Sequence, residues 1–204
     1  MTYRLDHITI VAANLDEGVR HVAAALDVVV PAGGKHVQMG THNRLMRLGD
    51  GVFLEIVAPD PAADPPGRAR WFGLDTPGPT RLATWVAGVP DLDTALARYP
   101  VAGKAEPITR GALNWRISVP QDGSLPMDGA FPTFIEWPPG PHPSDSMPDL
   151  GCRLSVLRIG HPDIAPIASF AADYLKDDRL VFAESPEAGL VAEIDTPSGR
   201  RLLV

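Results

Sequence analysis

Three times along the chain the same succession of signals recurs: a strand-like apolar run, a side chain suited to capping a helix, a helical stripe, then several more strand-like pieces. The first round has residues 5–11 as a strand and Asn14 as a cap, with Glu17 three positions on completing a capping box. Leu15, Val19, Val22 and Leu26 then share one helical face. Pro31-Ala32-Gly33-Gly34 breaks the pattern, and strand-like pieces are expected near 37–39, 44–48 and 52–57. The second round has a strand at 82–86, the cap Asp91 and a stripe of Leu92, Ala95, Leu96 and Tyr99. Strands near 105–109, 114–119 and 133–137 complete it. The third has a strand at 154–159, Asp163 as cap, a helix carrying Ile164, Ile167, Phe170, Tyr174 and Leu175, and strands at 180–182, 190–194 and 201–204. Short strands and one-sided helices can bury their apolar sides only by packing helix on sheet, so the order predicts an α+β fold of three β-α-β-β-β units.

Proline and glycine mark the joints. The chain has 204 residues with 22 Pro and 19 Gly, and these concentrate in two connectors, 60–79 and 138–148, and in turns between strands. The units are therefore placed at 1–60, 80–138 and 150–204. In the first connector, Trp71, Phe72 and Leu74 are expected to pack the segment down onto a surface. The net charge is −7 and no basic run with interleaved aromatics occurs, so nucleic acid is not an expected partner. The single cysteine, Cys152, suits a reducing compartment and has no base beside it that would suggest a nucleophile. No apolar stretch is long enough to span a membrane and the chain opens directly on a strand, so a soluble, cytoplasmic protein is expected. Neither a phosphate-binding loop, a dinucleotide fingerprint nor a nucleophile elbow is present.

Side chains alternate along a strand, so Leu5, His7 and Thr9 are expected on one face of the first strand, and Phe53, Glu55 and Val57 on one face of the last strand of that unit. In the second unit, Thr133, Ile135 and Trp137 share one face and Phe134 and Glu136 the other. Glu55, in Phe53-Leu54-Glu55-Ile56, and Glu136, in Phe134-Ile135-Glu136-Trp137, end their units in the same way. A carboxylate among such apolar neighbours is costly to bury unless paired, hydrogen-bonded or metal-bound. Either both glutamates are edge-strand residues facing water, or both face a shared cavity.

These residues resemble a family. The opening Leu5-Asp6-His7-Ile8-Thr9-Ile10-Val11, the stretch Gly33-Gly34-Lys35-His36, then Gly40-Thr41-His42-Asn43-Arg44-Leu45 and Phe53-Leu54-Glu55 look like the glyoxalase-like group of the vicinal oxygen chelate superfamily. The resemblance implies paired β-α-β-β-β modules curling into an open, cup-shaped barrel, with the third, similar unit added at the C-terminus. It implies a divalent ion (Zn, Ni, Mn or Fe) held by the first and last strands of each module. Carried over, those places are His7 and Glu55, then Thr84 and Glu136. Thr84 departs from the pattern, because a neutral hydroxyl is a poor ligand. His7, Glu55 and Glu136 remain as a three-ligand site with open positions, and either glutamate is the candidate catalytic base. Isomerase, lyase and dioxygenase chemistry on a small molecule with a carbonyl or adjacent oxygens are all compatible with it. The alternative is a metal-free protein that binds a small molecule on the same fold, which Thr84 favours.

Other candidates lie around this site. His36 and Asn43 are placed by the resemblance near the rim, where a substrate could meet them. Arg110, Asn114 and Arg116 lead into an inner strand of the second unit, and Asn114 and Arg116 share a face that could bind an anionic substrate or pair with the surplus acids. His142, between two prolines, reads as linker. The third unit has Val156 where the first has His7 and no acid on its last strand. Its expected use is structural, packing on the first two units or against a second copy in a homodimer.

Overall fold

The computed structural model describes residues 2–204. β1 (Arg4–Val11) is buried from Leu5 onward, as its apolar run requires of a strand in the middle of a sheet. Asn14 caps α1 (Leu15–Leu26): its side-chain oxygen accepts from the Glu17 N–H at 2.9 Å, and its amide donates to the Glu17 carboxylate at 2.8 Å. β2 (Ala32–His36), β3 (Thr41–Arg47) and β4 (Phe53–Pro59) complete the first module. One sequence expectation changes here. The helix ends before Pro31 as expected, but the strand expected near 37–39 lies earlier and runs through Gly33-Gly34, and residues 37–39 form one tight helical turn closed by Gly40 at φ 59°.

The second module repeats the order with β5 (Arg81–Gly88), α2 (Leu92–Arg98), β6 (Lys104–Arg110), β7 (Leu113–Val119) and β8 (Thr133–Glu136). Asp91 caps α2 by accepting from the Thr94 N–H at 2.9 Å. Together the eight strands make one sheet in the order β2-β3-β4-β1-β5-β8-β7-β6. Within each module the first strand runs parallel to the last, and the modules join through the antiparallel pair β1 and β5. The sheet curls into a nearly closed cup, and the Gln38 amide just beyond β2 donates to the Thr109 hydroxyl on β6 at 2.6 Å across the remaining gap.

One irregularity in β1 matters for the site. Leu5 lies opposite Ala87 and His7 opposite Val86, so Asp6 is an extra, bulged residue. The bulge turns Leu5 to the outer face with Ile8 and Ile10, and leaves His7 lining the cup. Leu5 and His7 therefore do not share a face as strict alternation predicts.

The third unit follows the expected order as β9 (Arg153–His161), α3 (Ala165–Tyr174), β10 (Leu180–Glu184), β11 (Gly189–Thr196) and β12 (Gly199–Leu203). Asp163 is not its cap. The helix enters from Ile164 without a side-chain cap, with Pro166 in its first turn, while the Asp163 N–H donates to the His161 ring at 2.9 Å. Its four strands run β10-β9-β11-β12, and its first strand makes its parallel pair with the second strand rather than with the last. The succession of elements is shared with the modules and the pairing is not. This small sheet covers the outer face of the large one: Leu157, Phe170, Ile194 and Leu203 join a single apolar cluster with Ile8, Leu54, Trp85 and Phe134. The Tyr3 N–H donates to the Tyr174 carbonyl at 2.9 Å, tying the N-terminus to α3. Burial of side chains such as Trp85 and Phe134 stabilises the fold by roughly 1.5–3 kcal/mol each.

Candidate functional site in the cup

The inner face of the large sheet forms a narrow, partly open cleft lined by His7, His36, Asn43, Glu55, Arg110 and a wall of aromatic residues. His7 is held on three sides. Its Nδ1 lies 2.8 Å from the Asp6 carboxylate and its ring stacks on Phe53 with centroids 4.3 Å apart. A carboxylate only accepts, so Nδ1 carries the hydrogen and Nε2 is the free nitrogen. That Nε2 lies 3.6 Å from Glu55 Oε2, too far for a hydrogen bond and close enough for one ligand oxygen to contact both.

Asp6 is fully buried and organises the surroundings. Its second oxygen accepts from the Trp137 indole and from the His142 ring, each at 3.0 Å. Burial opposes its ionisation, but the hydrogen bonds from His142 and His7 outweigh burial and bring its pKa down to about 2. Because His142 reaches Asp6, the proline-rich segment around it is drawn over the cup, where Pro143 and Met147 join the lining.

Asn43 links the other half of the site. The Gly34 N–H donates to its side-chain oxygen at 2.8 Å, which fixes the orientation of the amide. Its Nδ2 then donates to Glu55 Oε1 at 2.6 Å and lies 3.3 Å from His36 Nε2. His36 accepts there, and its Nδ1 can donate to the Thr41 hydroxyl at 3.1 Å. Burial pushes the His36 pKa down to about 4, with Glu55 opposing and Arg110 reinforcing the shift, so this ring is neutral near pH 7. The two glycines flagged in the sequence make room: a Cβ on Gly33 would lie 2.2 Å from the Asn43 oxygen, and one on Gly34 would lie 2.5 Å from Arg110 Cδ.

The sequence-predicted residues divide cleanly. His7, Glu55, His36 and Asn43 come together. Glu136, Asn114 and Arg116 do not. Side chains alternate along β8, and Ile135 is one of its residues that line the cup. Glu136 is one position further along and faces the other side. There it accepts from the Leu92 N–H at 2.7 Å, at the start of α2, and from Arg116 at 3.4 Å. Arg116 also pairs with Asp93 at 2.6 Å, so Asn114 and Arg116 occupy the outer face of β7 while Trp115 and Ile117 line the cup. The Thr84 hydroxyl lies 3.3 Å from the Gly129 carbonyl.

A divalent ion does not fit this donor set. His7 and Glu55 are its two facing donors, and the second module has Thr84 where the first has His7 and lines the cup with Ile135 and Trp137. Among the described residues no three His, Cys, Asp or Glu side chains converge as a metal site requires. A fixed positive charge, Arg110, lines the same cavity.

Residues that sequence reasoning did not place in the site are Asp6, His142 and the Trp71-Phe72 pair; Arg110, which it set beside Asn114 and Arg116, is the one of those three that lines the cup. Trp71 and Phe72 do pack down as expected, and the surface they meet is the mouth of the cup. Phe72 adopts φ 58°, uncommon for a bulky residue, at the turn that brings both rings inward.

A family model described as a glyoxalase-like domain matches residues 5–175. The chain belongs to the glyoxalase-like domain family. No curated protein matches the sequence. Among solved structures, this glyoxalase-like chain is similar to a hypothetical protein from Staphylococcus aureus, at 13% identity and a TM-score of 0.62, over 92% of this chain and 88% of that one. It is also similar to methylmalonyl-CoA epimerase from Mycobacterium tuberculosis, at 23% identity and a TM-score of 0.42, over 66% and 88% of the two chains. The Streptomyces coelicolor epimerase gives 20% identity and a TM-score of 0.45 over 67% and 99%. The likeness to the Staphylococcus protein is one of fold. No helix of the described residues is long and apolar enough to cross a membrane.

Proposed function

We propose that this glyoxalase-like chain binds a small molecule in the cup without a metal, and that the His7–Glu55 pair exchanges a proton with an oxygen of that molecule. The observation that carries this reading is the placement of the two glutamates on opposite faces of the sheet, with Ile135 and Trp137, not Glu136, lining the cup from the second module. What remains in the cup is an imidazole oriented by a buried carboxylate, with a second carboxylate 3.6 Å from its free nitrogen. Such a pair can receive a proton from a hydroxyl or enol and return it, the elementary step of acid–base chemistry. Asp6 acts through His7 by holding one tautomer, and Asn43 acts through Glu55 by holding one oxygen, leaving the other free for a ligand.

Elemental analysis of protein purified without added ions, followed by calorimetric titration with Zn, Mn, Ni and ferrous iron, tests it. The expected result is a substoichiometric metal content that Glu55→Ala does not change. One equivalent of metal in the wild type that Glu55→Ala abolishes would overturn the reading.

A further inference from the structure

Arg110, at the end of β6, is half-buried and lines the cup beside Asn43. Among the described residues its guanidinium has one hydrogen-bond partner, the Asn43 side-chain oxygen at 3.4 Å, and no carboxylate within ion-pair distance. Arg179, buried to a similar degree, is paired with Asp177 at 2.6 Å. The chain has 25 acidic residues against 18 basic ones, so Arg110 does not stand alone for want of acids. Glu55 acts on Arg110 only through space, without an ion pair, while its own oxygen is held by Asn43, so an anion arriving from outside offsets the cost of the cation's burial.

Two further features belong to the same cavity. The guanidinium lies over the Trp115 ring, 5.8 Å from its centroid, and the bare Cα of Gly34 leaves the space its Cδ occupies. Trp71, which also lines the cup, has a buried indole N–H with no acceptor. A ligand oxygen is the kind of group that both an unpaired guanidinium and an orphaned N–H require. The remaining walls are flat: Trp71 and Phe72 stack at 5.3 Å, and Trp115 and Trp137 lie 5.2 Å apart.

From this placement we infer that the cup takes a small planar carboxylic acid, its carboxylate on Arg110 and its ring among the tryptophans. The inference rests on the cup being a small-molecule site and names the class of molecule. Charge orders the ligand within it, since its carboxylate is drawn to Arg110 and repelled by Glu55, so the opposite end of the ring is the one presented to His7.

Benzoate and its neutral isostere benzamide test this by calorimetry and by the indole N–H resonances of protein labelled with nitrogen-15. Wild-type protein should bind benzoate at least about tenfold more tightly than benzamide, a difference of about 1.4 kcal/mol, with a shift of the Trp71 indole resonance assigned through Trp71→Phe. In Arg110→Met, and in Gly34→Ala, which crowds the arginine without removing it, the preference for the acid should fall to within about twofold. The wild-type comparison needs no variant to fold. Equal binding of acid and amide would overturn the assignment of an acid and leave the small-molecule reading standing. A preference that survives Arg110→Met would overturn the role of Arg110. Binding of neither probe would overturn both the inference and the reading beneath it.

Discussion

Two buried side chains next to the cup show how burial and hydrogen bonding compete. Asp6 stays ionised because three donors converge on it, from β1, from the end of β8 and from the connector. His36 has only an amide and a hydroxyl as hydrogen-bond partners, and burial outweighs the pull of Glu55. Its pKa falls from 6.5 to about 4, so on acidification the unfolded chain takes up a proton that the folded chain refuses. Full stability is therefore present above pH 6.5 and is lost progressively down to pH 4, by roughly 3 kcal/mol from this group. Urea midpoints at pH 7, 5.5 and 4.5 should fall steeply in the wild type and less so in His36→Gln. Equal slopes for the two proteins would show that His36 is not held neutral.

The connector that closes the second module does more than join elements. Residues 138–148 carry the prolines that mark a boundary in the sequence, yet His142 binds the buried Asp6 and Ser144 is itself fully buried. Short turns, with the Asp145 N–H on the His142 carbonyl and the Met147 N–H on the Ser144 carbonyl, keep the segment compact over the cup. His142→Ala removes one charge-assisted hydrogen bond, worth roughly 1.5–3 kcal/mol. The variant should lose hydrogen-exchange protection at residues 142–147 while β4 and β5 keep theirs. Unchanged protection in that segment would mean that the prolines alone hold it. Proline content made the segment legible as a connector; its use as a cover depends on a contact between residues 136 positions apart.

The large and small sheets share one core, and that governs stability. Trp85 and Phe134 are covered by residues of the third unit, with Tyr3, Phe134, Phe170 and Tyr174 in mutual aromatic contact. Removing residues 150–204 would expose the outer face of the cup to water, so the truncated chain should show weak near-ultraviolet circular dichroism and bind hydrophobic dyes. The intact chain should unfold in one transition. All four tryptophans precede residue 138, so their fluorescence reports on the two modules while far-ultraviolet circular dichroism reports on everything. The two urea curves should coincide, and separated midpoints would show that the third unit folds independently.

Local chemistry was enough to read much of this chain. The Asn14 and Asp91 caps and the strand and helix order in three rounds follow from hydrogen-bonding groups and alternation near one another in sequence, as do the shared faces of His7 with Thr9 and of Glu55 with Phe53, whereas His36 and Asn43 are placed near the rim only by the family resemblance. Alternation says which residues share a face, not which face is inner, and it fails where a bulge such as Asp6 adds a residue. Glu55 and Glu136 stand in similar words, Phe-Leu-Glu and Phe-Ile-Glu, but strand register is set by pairing with β1 and β5, and one residue of offset sends Glu136 to the helix side. Pairing between strands far apart in sequence likewise separates the third unit from the first two, although all three share an order of elements. The face that each glutamate takes, and with it the makeup of the site, is thus settled by long-range packing, because a strand's two sides are equivalent until something is packed against one of them.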